Sequence, residues 1–368
     1  MAEKNPLSIF STRKILLPIL LGVGVAGFLI WRDMRNDGDV LAEIIRNWTW
    51  QASGFLVLAM CFGIMRDLMY MYRIRLLSDK KLSWKQAFQV IMLWEFGSAI
   101  TPSVVGGSAL AFFIVSMEGI PVGRSTAIVM ITALLDELFY IVVAPLCILF
   151  VGFQSAFNTD FRFSAFGSTF GEFQVFLIGY GFMCLLTVII LVAIFFFPNG
   201  FRTLLYKAAD WRLLRRWSAK VRKTGDDIVT SSREFKSKGF VFWIKAYLCT
   251  VLSWTSRFIV LNFILLAFSP VGEHLLVFVR QLVMWIILCI SPTPGSSGIA
   301  EFAFPLFIGE FMKEGTHAAI ALVWRGFTYY PYIILGLLVL PYWSKRVFAK
   351  TSKQNNKWKI TKNKTAFR

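Results

Sequence analysis

Six uninterrupted apolar stretches, each close to or beyond the ~20 helical residues that cross a bilayer core, dominate this sequence: 15–31, 50–65, 125–151, 175–197, 240–268 and 316–343. Inside hydrocarbon only a helix or a closed barrel satisfies its own backbone, so such a chain folds as a set of spanning helices. Composition agrees. Charged residues are only 16% of the 368 and hydrophobic residues 57%, whereas a soluble domain carries roughly 25% charged. The expected fold class is an all-α polytopic membrane protein. The stretch 15–31 follows Arg13 and Lys14 as a signal peptide would, but Trp31 and Arg32 stand where a cleavage site needs small residues, so it reads as an uncleaved first span. The five cysteines (Cys61, Cys147, Cys184, Cys249, Cys289) lie in apolar stretches with no CxxC pair and read as small buried hydrophobes.

Two further apolar regions, 86–118 and 275–312, are broken. The first is interrupted at Thr101-Pro102-Ser103-Val104-Val105-Gly106-Gly107, the second at Ser291-Pro292-Thr293-Pro294-Gly295-Ser296-Ser297-Gly298. The flanking arms, about 12–17 residues long, are mostly too short to cross alone. Proline removes a backbone donor and glycine permits a turn, which is tolerated at membrane depth where protein or a wet cavity serves the freed groups. Both regions therefore read as re-entrant helical hairpins, with ordinary Pro-kinked helices as the alternative.

Basic residues exceed acidic ones by 18, and the surplus is clustered. Segment 66–85 carries six basic and two acidic residues, 198–239 eleven and four, and 344–368 nine and none; 32–49 has three basic and four acidic. The positive-inside rule then puts both termini and the basic loops in the cytoplasm, against anionic lipid rather than nucleic acid. Within the segment 199–239, Phe201, Leu204, Leu205, Ala208, Trp211, Leu214, Trp217 and Val221 recur at helical spacing, with Arg212, Arg215, Arg216, Lys220 and Arg222 between them. This suits an amphipathic helix on the inner leaflet, or a site for a soluble partner. The organisation is one transmembrane domain, 1–343, and a basic tail, 344–368; homo-oligomerisation stays open.

A shift of 192 positions aligns the breaks without a gap: from 101–142 against 293–334, eleven of 42 positions match, including Thr101/Thr293, Pro102/Pro294, Gly106/Gly298, Glu118/Glu310, Gly123/Gly315 and Tyr140/Tyr332. The halves, about 86–151 and 275–343, enter from opposite faces, the plan of an inverted-repeat transporter.

Seven ionisable residues fall in apolar segments: Glu95, Asp136, Glu137, Arg257, Arg280, Glu301 and Arg325. At ~1.5 Å per residue, Asp136 and Arg325 lie near the midplane, and Glu95 and Glu301 lie beside the breaks. Such charges are either paired between helices or functional. Arginine grips phosphate bidentately, which makes Arg257, Arg280 and Arg325 candidate headgroup ligands and Glu95, Asp136 and Glu301 candidate proton-linked or ion-pairing acids. Adjacent Asp136 and Glu137 point about 100° apart and form no acid/base pair. The two histidines, His274 and His317, sit in short loops, and no HExxH, GxSxG, P-loop or Cys/His metal set occurs. Neither a metal nor another cofactor is expected. The Ser and Thr residues at the breaks read as partners for freed carbonyls.

Thr101-Pro102-Ser103 with Gly106-Gly107, then Gly119-Ile120-Pro121, Asp136, and Pro292-Thr293-Pro294-Gly295 with Gly298 and Glu301 resemble the flippase-like family, that of the membrane region of lysylphosphatidylglycerol synthases. The resemblance runs from about Ile15 to Tyr342 and implies a polytopic inner-membrane protein of prokaryotes that moves lipids between leaflets. Synthase members continue into a soluble aminoacyltransferase domain; here the tail 344–368 follows, so lysyl transfer is not expected. Where relatives place a charged residue after the first glycine pair, this chain has Ser108-Ala109-Leu110. The resulting expectation is a non-enzymatic lipid flippase for an anionic or phosphate-bearing lipid. A non-transporting scaffold for lipid-modifying enzymes is the alternative, followed by a membrane-embedded transferase.

The charge pattern makes a direct prediction. In a background without native cysteines, Ile228→Cys should be shielded from an impermeant thiol reagent added outside intact spheroplasts, and Asp160→Cys should react; the reverse outcome would remove both the topology and the inverted repeat.

Overall fold

The computed structural model describes residues 48–101, 103–157, 162–165, 168–210, 218–268, 271–289 and 295–347, with Phe28, Trp31, Arg46 and Thr293 as isolated positions. Most of the expected span 15–31, and Pro102, Pro294, Asp160 and the tail beyond 347, lie outside the described residues. Five described helices are long and apolar enough to cross a membrane. These are α1 (Trp50–Leu77), α4 (Val122–Val151), α5 (Glu172–Leu191, extended by a π-helical turn Val192–Phe196), α8 (Phe240–Phe268) and α11 (His317–Val347). The broken regions supply paired short helices, α2 (Trp84–Ile100) with α3 (Ser103–Met117) and α9 (His274–Leu288) with α10 (Ile299–Ile308). The chain is an all-α, multi-pass membrane protein, with one small antiparallel hairpin, Arg162–Ala165 against Ser168–Gly171, in the α4–α5 loop.

Local chemistry sets the ends of the broken helices. A capping box starts α2: the Gln86 amide donates to Ser83 Oγ (3.3 Å) and the Ser83 amide to Gln86 Oε1 (3.0 Å). At its end the Thr101 amide donates to the Gly97 carbonyl (3.1 Å), and Thr101 Oγ1 donates to the same oxygen (2.7 Å). The first turn of α10 is closed by Glu301, whose carboxylate accepts the Gly298 amide (2.7 Å).

Two expectations need correction. The second span does not end near position 65. Helix α1 runs on to Leu77, and Arg66 and Arg73, read above as loop charges, are buried in it because each meets an acid on another helix. The basic segment is not one helix lying on the leaflet but two, α6 (Pro198–Asp210) and α7 (Ser218–Lys236), with 211–217 outside the described residues. The apolar residues Ile228, Val229 and Phe235 of α7 are buried. Helix α7 docks on the start of α4, where a Cβ on Gly123 would stand 2.8 Å from the Asp227 carbonyl carbon. Arg124 pairs with Glu234 and with Asp79 (2.6 Å), and Lys238 reaches Asp79 (2.7 Å). Ile228 therefore faces inward, and the exposed Thr230 is the neighbouring position at which labelling is read; Thr169, exposed in the hairpin, serves for 160.

The interior falls into two apolar clusters. One gathers Tyr70, Leu77, Phe96, Ile114, Ile128 and Trp343 around the first break. The other gathers Phe139, Phe258, Val283, Phe304 and Trp324 around the second. Trp254 of α8 packs against both.

Partial burial pushes the Asp79 carboxyl up, but Lys238 and Arg124 outweigh it and hold it below the ordinary carboxylate range. The lock it forms on α7 is fully present above the unfolded value of about 3.9 and is lost as pH falls through the lowered folded value. Gly123→Val should displace α7 at a cost of about 1–3 kcal/mol from overpacking. A lower thermal midpoint in detergent and faster tryptic cleavage between α6 and α7 would register it; unchanged cleavage would mean that the close contact does not hold the pair.

Candidate functional site

The breaks meet. Tyr329 on α11 donates its hydroxyl to the Ala99 carbonyl at the end of α2 (3.1 Å), and Ser297 Oγ lies 2.8 Å from the same hydroxyl. Gly295 has φ +55°, and a Cβ there would stand 2.6 Å from the Tyr329 ring and 2.9 Å from the Ala99 oxygen. Glycine is what lets the second break close against the first. Gly107 sits against Ser98, where a Cβ would lie 3.1 Å from the Ser98 Cα, and Gly106 lies in the first turn of α3.

At this seam is a cavity of about 270 Å³. Ser98 and Thr101 line it from the first break and Thr293, Gly295 and Ser296 from the second. Helix α4 supplies Asp136, Glu137 and Tyr140, α8 supplies Trp254 and Arg257, and α2 supplies Glu95. Arg325, Tyr329 and Tyr332 come from α11. Of the predicted residues, Glu95, Asp136, Arg257 and Arg325 thus share one wall system. Glu301 stands behind it, fully buried, 3.0 Å from Arg325 Nε.

Arg280 does not join them. Its guanidinium lies 3.0 Å from Glu310 and 4.0 Å from Glu172, at the start of α5. It ties the α9–α10 unit to α5 rather than facing the cavity, which corrects its assignment as a headgroup ligand.

Partners sort the remaining charges. Arg73, 1% exposed, grips Asp136 with both terminal nitrogens (2.6 and 3.1 Å) and donates to Thr250 (2.7 Å). Asp136 also accepts from the Trp254 indole (2.8 Å). Arg66 meets Glu95 (2.7 Å) and Asp67 (2.8 Å) between the rings of Tyr70 and Tyr332. Arg325 serves Glu301 and the Ser296 carbonyl (3.4 Å). Arg257 differs: its ionic contact is a long 3.9 Å to Glu95, and its guanidinium is held mainly by the faces of Trp285 (4.5 Å) and Trp254 (5.4 Å). Such a cation keeps donors free for a ligand in the cavity.

Sequence reasoning missed Arg66, Arg73 and the tryptophan clamp. The available signal was spacing: Arg66, Tyr70 and Arg73 stand at i, i+4 and i+7, one face of a helix, with no proline or glycine before Leu77.

Burial makes the Arg73–Asp136 pair testable. Asp136→Asn leaves a buried guanidinium without its counter-ion and should cost about 3–5 kcal/mol, whereas Arg73→Leu with Asp136→Leu should recover most of it. Yield and thermal midpoint in detergent read both; equal loss in the single and double variants would contradict the pairing.

The model of the lysylphosphatidylglycerol synthase TM region family matches residues 19–336. A UPF0104 membrane protein of Archaeoglobus fulgidus is 24% identical over 343 residues, spanning 89% of this chain and 96% of the relative. The chain belongs to the lysylphosphatidylglycerol synthase TM region family.

Proposed function

We propose that this member of the family is a lipid transporter that passes a phosphate-bearing headgroup between leaflets through the cavity at the seam of its two broken helix pairs. In this reading the protein is not an enzyme. It lies in a prokaryotic inner membrane with both termini cytoplasmic, and α2–α3 and α9–α10 are re-entrant hairpins of an inverted repeat. The observation that carries the proposal is Arg257: a cation at membrane depth, lining the cavity, clamped by Trp254 and Trp285 and, among the described residues, left with one ion contact of 3.9 Å. A charge placed so expensively and paired so loosely fits a ligand better than a brace. A phosphate offers the planar guanidinium two acceptor oxygens. Hydroxyl side chains from both breaks, Thr101, Thr293 and Ser296, line the same space and make it polar.

One observation favours the scaffold reading instead. Arg66, Arg73 and Arg325 are all engaged by acids, as a purely structural network would require.

Arg257 separates the two readings. Arg257→Leu should leave folded protein within about twofold of wild type, since little pairing is lost. It should abolish leaflet exchange of a labelled anionic phospholipid in reconstituted vesicles. Arg257→Lys should restore only part, because an ammonium is a point charge without the bidentate fork. A wild type that moves no lipid across several headgroups would sink transport and leave the scaffold.

A further inference from the structure

Among the described residues the membrane-depth charges around the cavity balance, with one exception. Arg66, Arg73, Arg257 and Arg325 stand against Asp67, Glu95, Asp136 and Glu301, each of these acids within 4.0 Å of an arginine. Glu137 is left over. It lines the cavity one residue after Asp136, and among the described residues it meets no cation at ion-pair distance; its contact is the Thr187 hydroxyl of α5, which donates to Glu137 Oε2 (2.8 Å).

We propose that Glu137 is the proton-carrying site of this transporter, taking up and releasing one proton as the cavity changes the side it faces. This rests on the transport reading above and deepens it by naming the coupling ion.

The partner chemistry singles Glu137 out from the other acids. An arginine stabilises only the carboxylate, so Asp136 and Glu95 are fixed in one state by Arg73 and Arg66. A threonine hydroxyl both donates and accepts. Thr187 can donate to an ionised Glu137 and accept from a protonated one, so either state keeps its hydrogen bond without a rearranged backbone. Protonation also brings the cluster to four positive against four negative groups, removing the surplus charge that a rearranging membrane-depth site would otherwise carry.

The surroundings of Glu137 are mostly neutral. From α5 it faces Thr187 and Cys184, and from the end of α9 Cys289. Its own helix presents Asp136, held by Arg73, and Tyr140. Across the cavity stand Glu95 and Tyr70, Arg257, and Arg325 with Tyr329 and Tyr332. The ionic groups of α7 that pack on α4, Asp227 and Glu234, sit at its other end beside Gly123 and Arg124.

The test has two independent arms. In proteoliposomes with an imposed pH gradient, wild type should move labelled phospholipid at a rate that depends on the gradient. Glu137→Gln should lose that dependence, and Glu137→Asp should keep it. In detergent, infrared difference spectra between mildly acid and mildly alkaline buffer should show a protonated-carboxyl band in wild type that is missing in Glu137→Gln. Transport that ignores the gradient, or Glu137→Gln that still follows it, overturns the proton site while leaving lipid transport standing. If wild type moves no lipid at all, the transport reading fails, and the infrared arm still decides: absence of a titrating band assigned to Glu137 overturns the proposal.

Discussion

The pairing of Arg73 with Asp136 is the interaction on which the interior depends. A guanidinium that is 1% exposed depends on its protein partners, and its two hydrogen bonds to one carboxylate bring α1 and α4 together at a fixed rotation. Thr250 and Trp254 of α8 bind the same pair, so three spanning helices are set in register by one ionic contact. Lipid gives helices no hydrophobic reason to associate, which leaves such polar contacts and close packing to define the arrangement.

That register places the seam. With α8 fixed against α1 and α4, Trp254 falls between the two apolar clusters, and the breaks face each other across the space they leave. The contact of Tyr329 with Ala99 and the close approach at Gly295 then join the second broken region to the first by backbone and hydroxyl rather than by apolar bulk.

Apolar length made most of the architecture legible, since the bilayer imposes a length rule that the chain must obey locally. The expected spans over 125–151 and 240–268 correspond to α4 and α8, and the breaks at Thr101 and Gly295 end and begin helices where proline and glycine suggested. What failed was the same rule used in reverse. The charges after position 65 suggest the end of a span, although α1 continues through Arg66 and Arg73 to Leu77. The acid that neutralises Arg73 lies 63 residues away, and a linear scan sees the charge without its partner. Arg280 differs for the complementary reason: its charge stands out in the sequence, while its partners Glu172 and Glu310 lie outside its own helix. Glu137 was set aside because its neighbour Asp136 points elsewhere. That geometry was correct, and the difference in partners that it creates became visible only with Thr187 in place.

Under the transport proposal, the size of the cavity bears on what the protein must enclose. A volume of about 270 Å³ between Arg257, Glu137 and the two breaks has room for a polar headgroup. Chains do not need enclosure: each methylene that stays in hydrocarbon avoids a cost of ~0.8 kcal/mol, and the bundle offers them an apolar outer face with Leu149 and Phe150 some 80% exposed. The barrier to moving a lipid lies in its charged end. A protein that replaces water around that end with an arginine, hydroxyls and a neutralisable carboxylate lowers the barrier where it is highest. On that reading the paired charges and the unpaired ones divide the work: Arg66, Arg73 and Arg325 hold the walls at fixed positions, so that Arg257 and Glu137 can change partners between them.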